Sequence, residues 1–239
     1  MTHPNSKPLT LDPIGFLRST QSAKFQLPPQ PLAKSSCQGL VEIVPGQNFE
    51  LALRDLEGFS HIWLIWWFHK NTNWKPTTLP PRGRTGRKGT FATRSPYRPN
   101  PLAMSCVELL AVKKGTLFIG PHDLLSDTPI LDIKPYIPEF DSFPEAQTGW
   151  YQKMQQELAE AVAFELHFSE TAHAVLEQRS PPEVREKIGS ILSVDPFPHR
   201  TRRIVKYDDG YRLSCGDWRI YYTVTGQKVH IDTVEHRSN

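Results

Sequence analysis

Proline recurs along this chain at about twice its usual share of roughly 5%, with 22 prolines in 239 residues. Proline donates no backbone hydrogen bond and has a fixed φ angle, so long helices cannot dominate where it clusters. The chain is also long enough to bury a real core, as one large domain or as two unequal ones. These features together predict a fold of short strands and ordered loops.

Short apolar and alternating segments predict the first domain, residues 9–140, as a β-barrel or curled sheet. A helical period followed by a glycine predicts one helix at Asn48–Gly58. A long loop rich in Pro, Gly and Arg runs from Lys70 to Gly89. The predicted strands are Ile14–Arg18, Gly39–Val44, His61–Phe68, Thr90–Thr93, Met104–Val112, Thr116–Ile119 and Ile130–Lys134.

The pattern changes at Pro138–Pro144, which we interpret as a linker. Residues 145–239 are predicted to form a smaller α+β domain, so the fold class is mainly β. A strand is predicted at Ala161–Ser169, followed by helices near Glu170–Gln178 and Pro182–Ser193. The tail has the turn chemistry of a β-meander. Its predicted strands are Arg203–Tyr207, Tyr211–Ser214, Asp217–Thr223 and Lys228–Val234.

Positive charge is concentrated in one part of the chain. Between Gly58 and Val107 there is no Asp or Glu, and this stretch holds eight Lys and Arg residues. A local positive field suits a polyanion such as RNA, although a solvated basic loop has the same composition. The overall net charge of +3 decides nothing about partners.

The cysteines and the N-terminus bear on the compartment. Cys37, Cys106 and Cys215 are scattered and odd in number, which favours reduced thiols over a disulfide framework or a zinc site. The first residues lack a signal pattern. The most apolar run, His61–Phe68, is far shorter than the roughly 20 residues of a membrane-spanning helix. We therefore expect a cytoplasmic protein with no metal and no membrane segment.

The densest candidate for chemistry is the loop Gly89–Pro101. Its prolines limit backbone freedom around Arg94 and Arg98, so the loop loses little entropy when it binds an anion or a base. A well-braced structural turn would have the same sequence. The loop from His122 to Pro129 offers two carboxylates and two hydroxyls that suit a ribose or an amino group, or it is simply a turn before a strand.

The string Phe91–Pro101, with Met104-Ser105 and Asp132–Tyr136, resembles the TrmO family, also called TsaA-like proteins. The likeness runs from about Ile14 to Pro138 and continues more weakly through Asp195–Arg200. It implies a small β-barrel methyltransferase that uses S-adenosylmethionine and acts as a homodimer. Its expected substrate is N6 of the threonylcarbamoyl-adenosine at position 37, in the tRNA anticodon stem-loop.

The resemblance also implies site residues. For the cofactor these are Pro28, Pro29, Gln30, His69, Lys70, Arg94, Leu102, Leu125, Ser126, Asp127 and Thr128. The cations assigned to RNA are Arg82, Arg84, Arg87, Lys88 and Arg98. Relatives often have Pro-Arg-Gln, His-Gln and Asp-Gly-Thr-Pro where this chain has Pro-Pro-Gln, His-Lys and Ser-Asp-Thr-Pro. The sequence does not identify a general base.

Three functions are consistent with these patterns. The first is methyl transfer to the modified adenosine, with Arg94 or Arg98 pairing with the threonine carboxylate of the substrate. The second is a non-enzymatic RNA-binding protein, which would bind RNA without S-adenosylmethionine. The third is a family relative that methylates another substrate, and the departures at Pro29, Lys70 and Ser126 keep it open.

Overall fold

The computed structural model describes residues 9–19, 38–80, 86–160, 162–198 and 203–237. These residues divide between two compact units. The first takes in the chain up to Thr78 and Gly89–Glu145, and the second takes in Leu79–Lys88 and the chain from Ala146 onwards. Strands predominate in both, which confirms the mainly β fold class.

Six strands of the first unit close into an antiparallel barrel. They are β1 (Gly15–Arg18), β2 (Gly39–Ile43), β3 (His61–Trp67), β6 (Leu102–Lys113), β7 (Thr116–Ile119) and β8 (Pro129–Pro135). Two-residue strands, β4 (Thr77–Thr78) and β5 (Lys88–Gly89), lie between β3 and β6 along the chain. Hydrogen bonding follows the order β1, β2, β7, β6, β3 and β8, and β8 pairs with β1 to close the ring.

The alternation of each strand decides which side chains fill the barrel. Successive side chains of a strand point to opposite faces. In β3 the inward residues are therefore Ile62, Leu64 and Trp66, which are 0%, 0% and 6% exposed. They form one core with residues such as Leu17 and Val107. A strand was predicted at each of these six places, His61–Phe68 from its length and aromatic content, and all six predictions are confirmed.

Two local predictions in the first unit are wrong. Asn48–Gly58 is not one helix but a short α1 (Phe49–Ala52) and a 3-10 turn at Leu56–Gly58, separated by Asp55 with a left-handed φ of 66°. The predicted strand Thr90–Thr93 is a 3-10 turn at Thr90–Ala92. The Thr93 N–H and hydroxyl both donate to the Thr90 carbonyl, at 3.1 and 2.9 Å, and this closes the turn.

Helical turns also occupy the region interpreted as a linker. Helix α2 (Pro138–Asp141) starts with a proline at its first position, where the missing N–H costs nothing. The Asp141 carboxylate accepts from the Ile137 N–H at 2.8 Å and so stabilises the turn. Helix α3 (Trp150–Glu160), which the sequence analysis did not predict, follows and buries Met154.

The second unit contains a five-stranded sheet. Its strands are β9 (Glu165–Phe168), β10 (Ile204–Tyr207), β11 (Gly210–Cys215), β12 (Trp218–Thr225) and β13 (Lys228–His236). They lie in the order β10, β11, β12, β13, β9, with β9 parallel to β13 and the other pairs antiparallel. The predicted meander is confirmed, and the strand predicted at Ala161–Ser169 is confirmed at its centre.

Two helices share a hydrophobic core with this sheet. They are α4 (Glu170–Gln178) and α5 (Pro182–Leu192), close to the predicted bounds. Ser169 caps α4 by accepting from the Ala172 N–H at 3.1 Å. No helix among the described residues is long and apolar enough to cross a membrane.

Candidate functional site

One rim of the barrel gathers most of the described candidate residues. Because the paired strands are antiparallel, the C-terminal ends of β1, β3 and β7 lie beside the N-terminal ends of β2, β6 and β8. The register pairs Arg18 with Leu40 and Trp67 with Leu102 at this rim. The described candidates that follow or begin these strands are His69, Lys70, Leu102, Leu125, Ser126, Asp127 and Thr128.

The loop between β7 and β8, residues 120–128, is fastened to the end of β1. The Asp127 N–H donates to the Leu17 carbonyl at 2.7 Å, and the Leu17 N–H donates to the Thr128 carbonyl at 3.0 Å. Asp127 has a left-handed φ of 64°, which lets the loop turn back at this point. The Ser126 hydroxyl accepts from the Ser19 N–H at 3.4 Å. The loop backbone is therefore fixed relative to the barrel.

An ion pair lies on the outer side of the same loop. The Arg18 guanidinium donates to Glu42 at 2.8 Å and also to the carboxylate of Asp127. The hydrogen bond with Glu42 is the main cause of the raised pKa of Arg18. Asp127 is 66% exposed, so solvent screens the pair. One carboxylate oxygen of this predicted cofactor residue is thus already bound by the protein.

Three polar side chains form a hydrogen-bonded row that leads from the barrel interior to the rim. The Trp66 indole N–H donates to the Ser105 hydroxyl oxygen at 3.0 Å, and that hydroxyl donates to the Asp123 carboxylate at 2.6 Å. Ser105 is 2% exposed and is the polar residue among the inward-facing positions of β6, between Ala103 and Val107. A buried polar group costs free energy unless it is hydrogen-bonded, and each of these is bonded.

Asp123 connects this row to the arginine loop. Burial raises the pKa of its carboxyl, while the hydrogen bond from Ser105 and the positive charge of Arg94 oppose that rise. Arg94 itself is exposed. A guanidinium and a carboxylate with a raised pKa therefore lie near one another at the rim, which is the kind of pairing often found at functional sites. Asp123 is one of the two carboxylates noted in the sequence of the loop from His122 to Pro129, although it was not among the predicted site residues, and neither were Ser105 and Trp66.

His122 stabilises the 120–128 loop from its buried side. It is 0% exposed, and its Nδ1 accepts from the Leu124 N–H at 3.3 Å. Burial lowers the pKa of His122, although backbone hydrogen bonds at Gln38 and Leu124 oppose the change. A Cβ added to Gly39 would lie 2.8 Å from His122 Nε2, so only glycine fits beside the ring. His122 is therefore a structural residue.

Hydrogen bonds brace the described parts of the segment between β3 and β6, residues 68–80 and 86–101. The Phe68 N–H donates to the Pro101 carbonyl at 2.8 Å. The Asn71 side-chain amide donates to the Pro96 carbonyl at 2.7 Å. These bonds hold both ends of the loop at the rim, next to His69 and Lys70. The expectation of a stiff loop is thus matched by specific contacts.

Arg98 has a structural role within this loop. Its guanidinium donates to the carbonyls of Thr90 and Thr93, at 3.2 and 2.7 Å, and lies 5.7 Å from the centre of the Phe91 ring. One terminal nitrogen is thus used to hold the 3-10 turn. Phe91 is 76% exposed. Arg98 therefore fits the alternative interpretation of this loop as a braced structural turn. Arg94 is the more exposed of the two arginines.

The remaining candidates are placed as follows. Arg87 is exposed and Lys88 is partly buried, with Lys88 Nζ 5.7 Å from the centre of the Trp150 ring. The predicted cofactor residues Pro28, Pro29 and Gln30 and the predicted RNA-binding residues Arg82 and Arg84 lie outside the described residues. The described residues contain no cluster of three or more His, Cys, Asp or Glu side chains that would hold a metal ion.

Comparison with known proteins adds an independent line of evidence. Residues 16–142 match the family model of the tRNA-methyltransferase O N-terminal domain. The Escherichia coli tRNA (adenine(37)-N6)-methyltransferase is 36% identical over 236 residues, 94% of this chain and 97% of the relative. The chain belongs to the tRNA-methyltransferase O family. The arginine-proline resemblance noted in the sequence is thereby confirmed, and so is its assignment to a family of methyltransferases.

Other members of the tRNA-methyltransferase O family match over most of the chain. A putative S-adenosylmethionine-dependent methyltransferase of Pseudomonas aeruginosa is 36% identical over 201 residues, 83% of each chain. The crystal structure of TrmO from Pseudomonas aeruginosa aligns with a TM-score of 0.58 at 30% identity, over 98% of this chain and 100% of that one. The likeness therefore extends through the second unit as well as the barrel.

Proposed function

We propose that this chain transfers a methyl group from S-adenosylmethionine to N6 of adenosine 37 in tRNA, and that its substrate carries N6-threonylcarbamoyladenosine. The observation that carries the proposal is the near full-length similarity to a tRNA (adenine(37)-N6)-methyltransferase. The modified base as the preferred substrate rests on the family resemblance and on the arginines at the rim.

The rim has groups of the right chemistry for S-adenosylmethionine. Leu102 is 40% exposed and offers an apolar surface for an adenine ring. The loop from Leu125 to Thr128 offers fixed backbone groups, and Asp127 offers a carboxylate for a ribose or an amino group. His69 and Lys70 begin the loop on the opposite side of Leu102. When bound, this cofactor supplies an electrophilic methyl group on a sulfonium that needs no acid to leave.

The protein's own contribution is mostly positioning. An in-line displacement requires that the nucleophilic nitrogen be held near the methyl carbon, at about 3 Å. The fastened loop and the braced arginine loop are rigid elements that suit this purpose. We assign Arg94 to the threonine carboxylate, because it is exposed and because its positive charge acts beside Asp123 at the rim. Bidentate pairing would select the modified base over plain adenosine.

RNA binding is assigned to the cations of residues 82–98. Arg87 and Arg94 are both exposed in the structure. Contacts from arginine to phosphate release counterions, so the affinity for an anticodon stem-loop should fall steeply with salt. Arg87→Ala should weaken binding to all tRNAs alike and reduce the salt dependence. A loss confined to one tRNA sequence would contradict a phosphate role.

We also propose that the chain acts as a homodimer, as the family resemblance implies. On the outer face of the barrel, Trp67, Leu102 and Met104 are 43%, 40% and 48% exposed. Their register on β3 and β6 makes them neighbours. Light scattering on Met104→Glu should show a monomer. A matched change at Val205, which is 43% exposed in the second unit, should leave the dimer intact.

The activity is tested with radiolabelled S-adenosylmethionine and two samples of one tRNA, with and without threonylcarbamoyl-adenosine. We expect label in the modified tRNA only. If no label is found, calorimetry with S-adenosylmethionine distinguishes between the two alternative functions. Cofactor binding without label in either tRNA indicates a relative with another substrate. Salt-sensitive RNA binding without cofactor binding indicates an RNA-binding protein that is not an enzyme.

A further inference from the structure

The row Trp66–Ser105–Asp123 has a defined direction. An indole N–H can only donate, so the Ser105 oxygen receives that hydrogen bond at 3.0 Å. The single Ser105 proton then has Asp123 Oδ1 as its acceptor, at 2.6 Å. Each hydrogen bond thus orients the next. The result is a carboxylate that is held by the inside of the barrel and is oriented at the rim.

A gain in stability does not explain why the protein buries the Ser105–Asp123 pair. Ser105 occupies an inward position between Ala103 and Val107, where an apolar residue would satisfy the core. A carboxylate in such a place gains nothing from burial, because desolvation disfavours its charged form. Such a group is useful where a proton has to be accepted from a bound substrate. A carboxylate that resists ionisation is also a stronger base when it does ionise.

We propose that Asp123 is the general base that accepts the N6 proton of the target adenine during methyl transfer. This inference rests on the proposed function. The N6–H bond breaks and its proton passes to the Asp123 carboxylate. The electron pair of N6 forms the new bond to the methyl carbon. The bond between that carbon and sulfur breaks, and its electrons remain on sulfur as a neutral thioether. The proton is later released to water.

Neighbouring groups are less suited to this role. Asp127 is bound by Arg18 at the exposed side of the loop. His122 lies fully buried behind the loop, with Nδ1 accepting from Leu124. Arg94, whose charge acts on Asp123, would bring the threonine carboxylate of the substrate to the same side of the rim. The substrate's N6 is joined to that threonine through a single carbonyl, so the two contacts are compatible.

The test uses Asp123→Asn in the full chain. Asparagine has the same shape, and its carbonyl oxygen still accepts from Ser105. We expect kcat on the modified tRNA to fall by about 10²- to 10⁴-fold. The cofactor Kd should stay within about threefold and Tm should not fall at neutral pH, because the amide carries no buried charge. Glu108→Gln is the matched control and should keep full activity, because Glu108 lies on the outer side of β6, the strand that carries Ser105.

A second variant tests the ionisation of Asp123 through the pH dependence of kcat. Ser105→Ala removes a hydrogen bond that favours the ionised carboxylate, so the rising limb of kcat against pH should move to higher pH. In Asp123→Asn that limb should disappear. Unchanged kcat or an unchanged profile in these variants would overturn the inference. So would a loss of cofactor binding in Asp123→Asn, which would make Asp123 a cofactor ligand.

Wild-type protein in the same assay separates the two proposals. If wild-type protein labels no tRNA, the proposed function fails and the role of Asp123 fails with it. If wild-type protein labels the modified tRNA and Asp123→Asn does so at the same rate, only the role of Asp123 is overturned.

Discussion

The buried polar side chains of the described residues, Thr90, Ser105, His122 and Thr128, all belong to the barrel unit. The fully buried side chains of the second unit are mostly apolar, although the Tyr222 hydroxyl donates to the Pro196 carbonyl at 2.5 Å and the nitrogens His167 Nε2 and Arg212 Nε are also buried. Burial of polar groups offsets part of the stability gained from apolar burial. We therefore expect the barrel core to gain less stability from burial than the core of the second unit, because four of its buried residues are polar.

The largest expected effect is in the apolar core of the second unit. Ile220 is 0% exposed in the middle of β12. Ile220→Ala should cost about 2–5 kcal/mol in the free energy of unfolding, since it loses buried methyl groups and leaves a cavity. Ile220→Val is the matched control and should cost about 0.5–1.5 kcal/mol. Urea unfolding measures both. Equal small losses in the two variants would mean that the second core is not tightly packed around Ile220.

The pH dependence of stability should come from the barrel. The pKa of His122 is lowered by burial from its ordinary value of 6.5, so the unfolded chain takes up the proton first. Stability that is present above about pH 6.5 is therefore lost as the pH falls, by at most about 1.4 kcal/mol per pH unit. The raised pKa of Asp123 has the opposite sign, because the folded state takes up that proton first.

Unfolding measured between pH 7.5 and pH 5 tests the sign for His122. The His122→Gln variant should have a lower stability at neutral pH but a flatter profile near pH 6. If the pH profile of its unfolding free energy matches that of the wild type, a group other than His122 controls the acid sensitivity. The buried histidine of the barrel would then not distinguish the two units in their pH dependence.

A smaller effect tests the buried Tyr222 hydroxyl in the second unit. Tyr222→Phe removes the hydroxyl that donates to Pro196 and should cost about 1 kcal/mol. The ring stays in place, so packing against Tyr211 is kept. Thermal unfolding of this variant should show a modest loss. No loss would indicate that water replaces the hydroxyl and that the second unit does not depend on any buried polar group here.

The smallest effect is expected at the surface of the barrel. Arg18 is 45% exposed and pairs with Glu42 and Asp127, which are 51% and 66% exposed. Arg18→Met should change the stability by less than about 1 kcal/mol, because exposed ion pairs are screened. The same variant should alter cofactor affinity if the 120–128 loop holds the cofactor. A large loss of stability would show that the ion pair, and not the backbone bonds, fastens the loop.

The strands were predictable because each has one buried face. In β6, alternation predicts the inward position of Ser105, and a serine there is a visible exception among apolar neighbours. An inward-facing serine predicts a buried hydrogen-bonding partner, so Ser105 could have indicated the Trp66–Ser105–Asp123 row. The partners could not be found from sequence, because the row combines two strands and a loop that meet only when the barrel closes.

Helical turns were the less predictable part of the fold. Thr90–Ala92 has a composition typical of strands, but the tertiary hydrogen bonds from Arg98 hold it as a 3-10 turn. Likewise, Pro138–Asp141 was interpreted as a linker because proline is common in linkers, yet proline is equally suited to the first turn of a helix. Local composition does not decide between such alternatives.

Closure of the barrel has a consequence for aggregation. A closed ring of six paired strands leaves no strand edge open for another chain, whereas the five-stranded sheet ends at β10 and β9. On β10, Val205 and Tyr207 are 43% and 44% exposed, and Lys206 between them is the one charge on that edge strand. Destabilised molecules are therefore expected to join through β10, and Lys206 is the residue that opposes it.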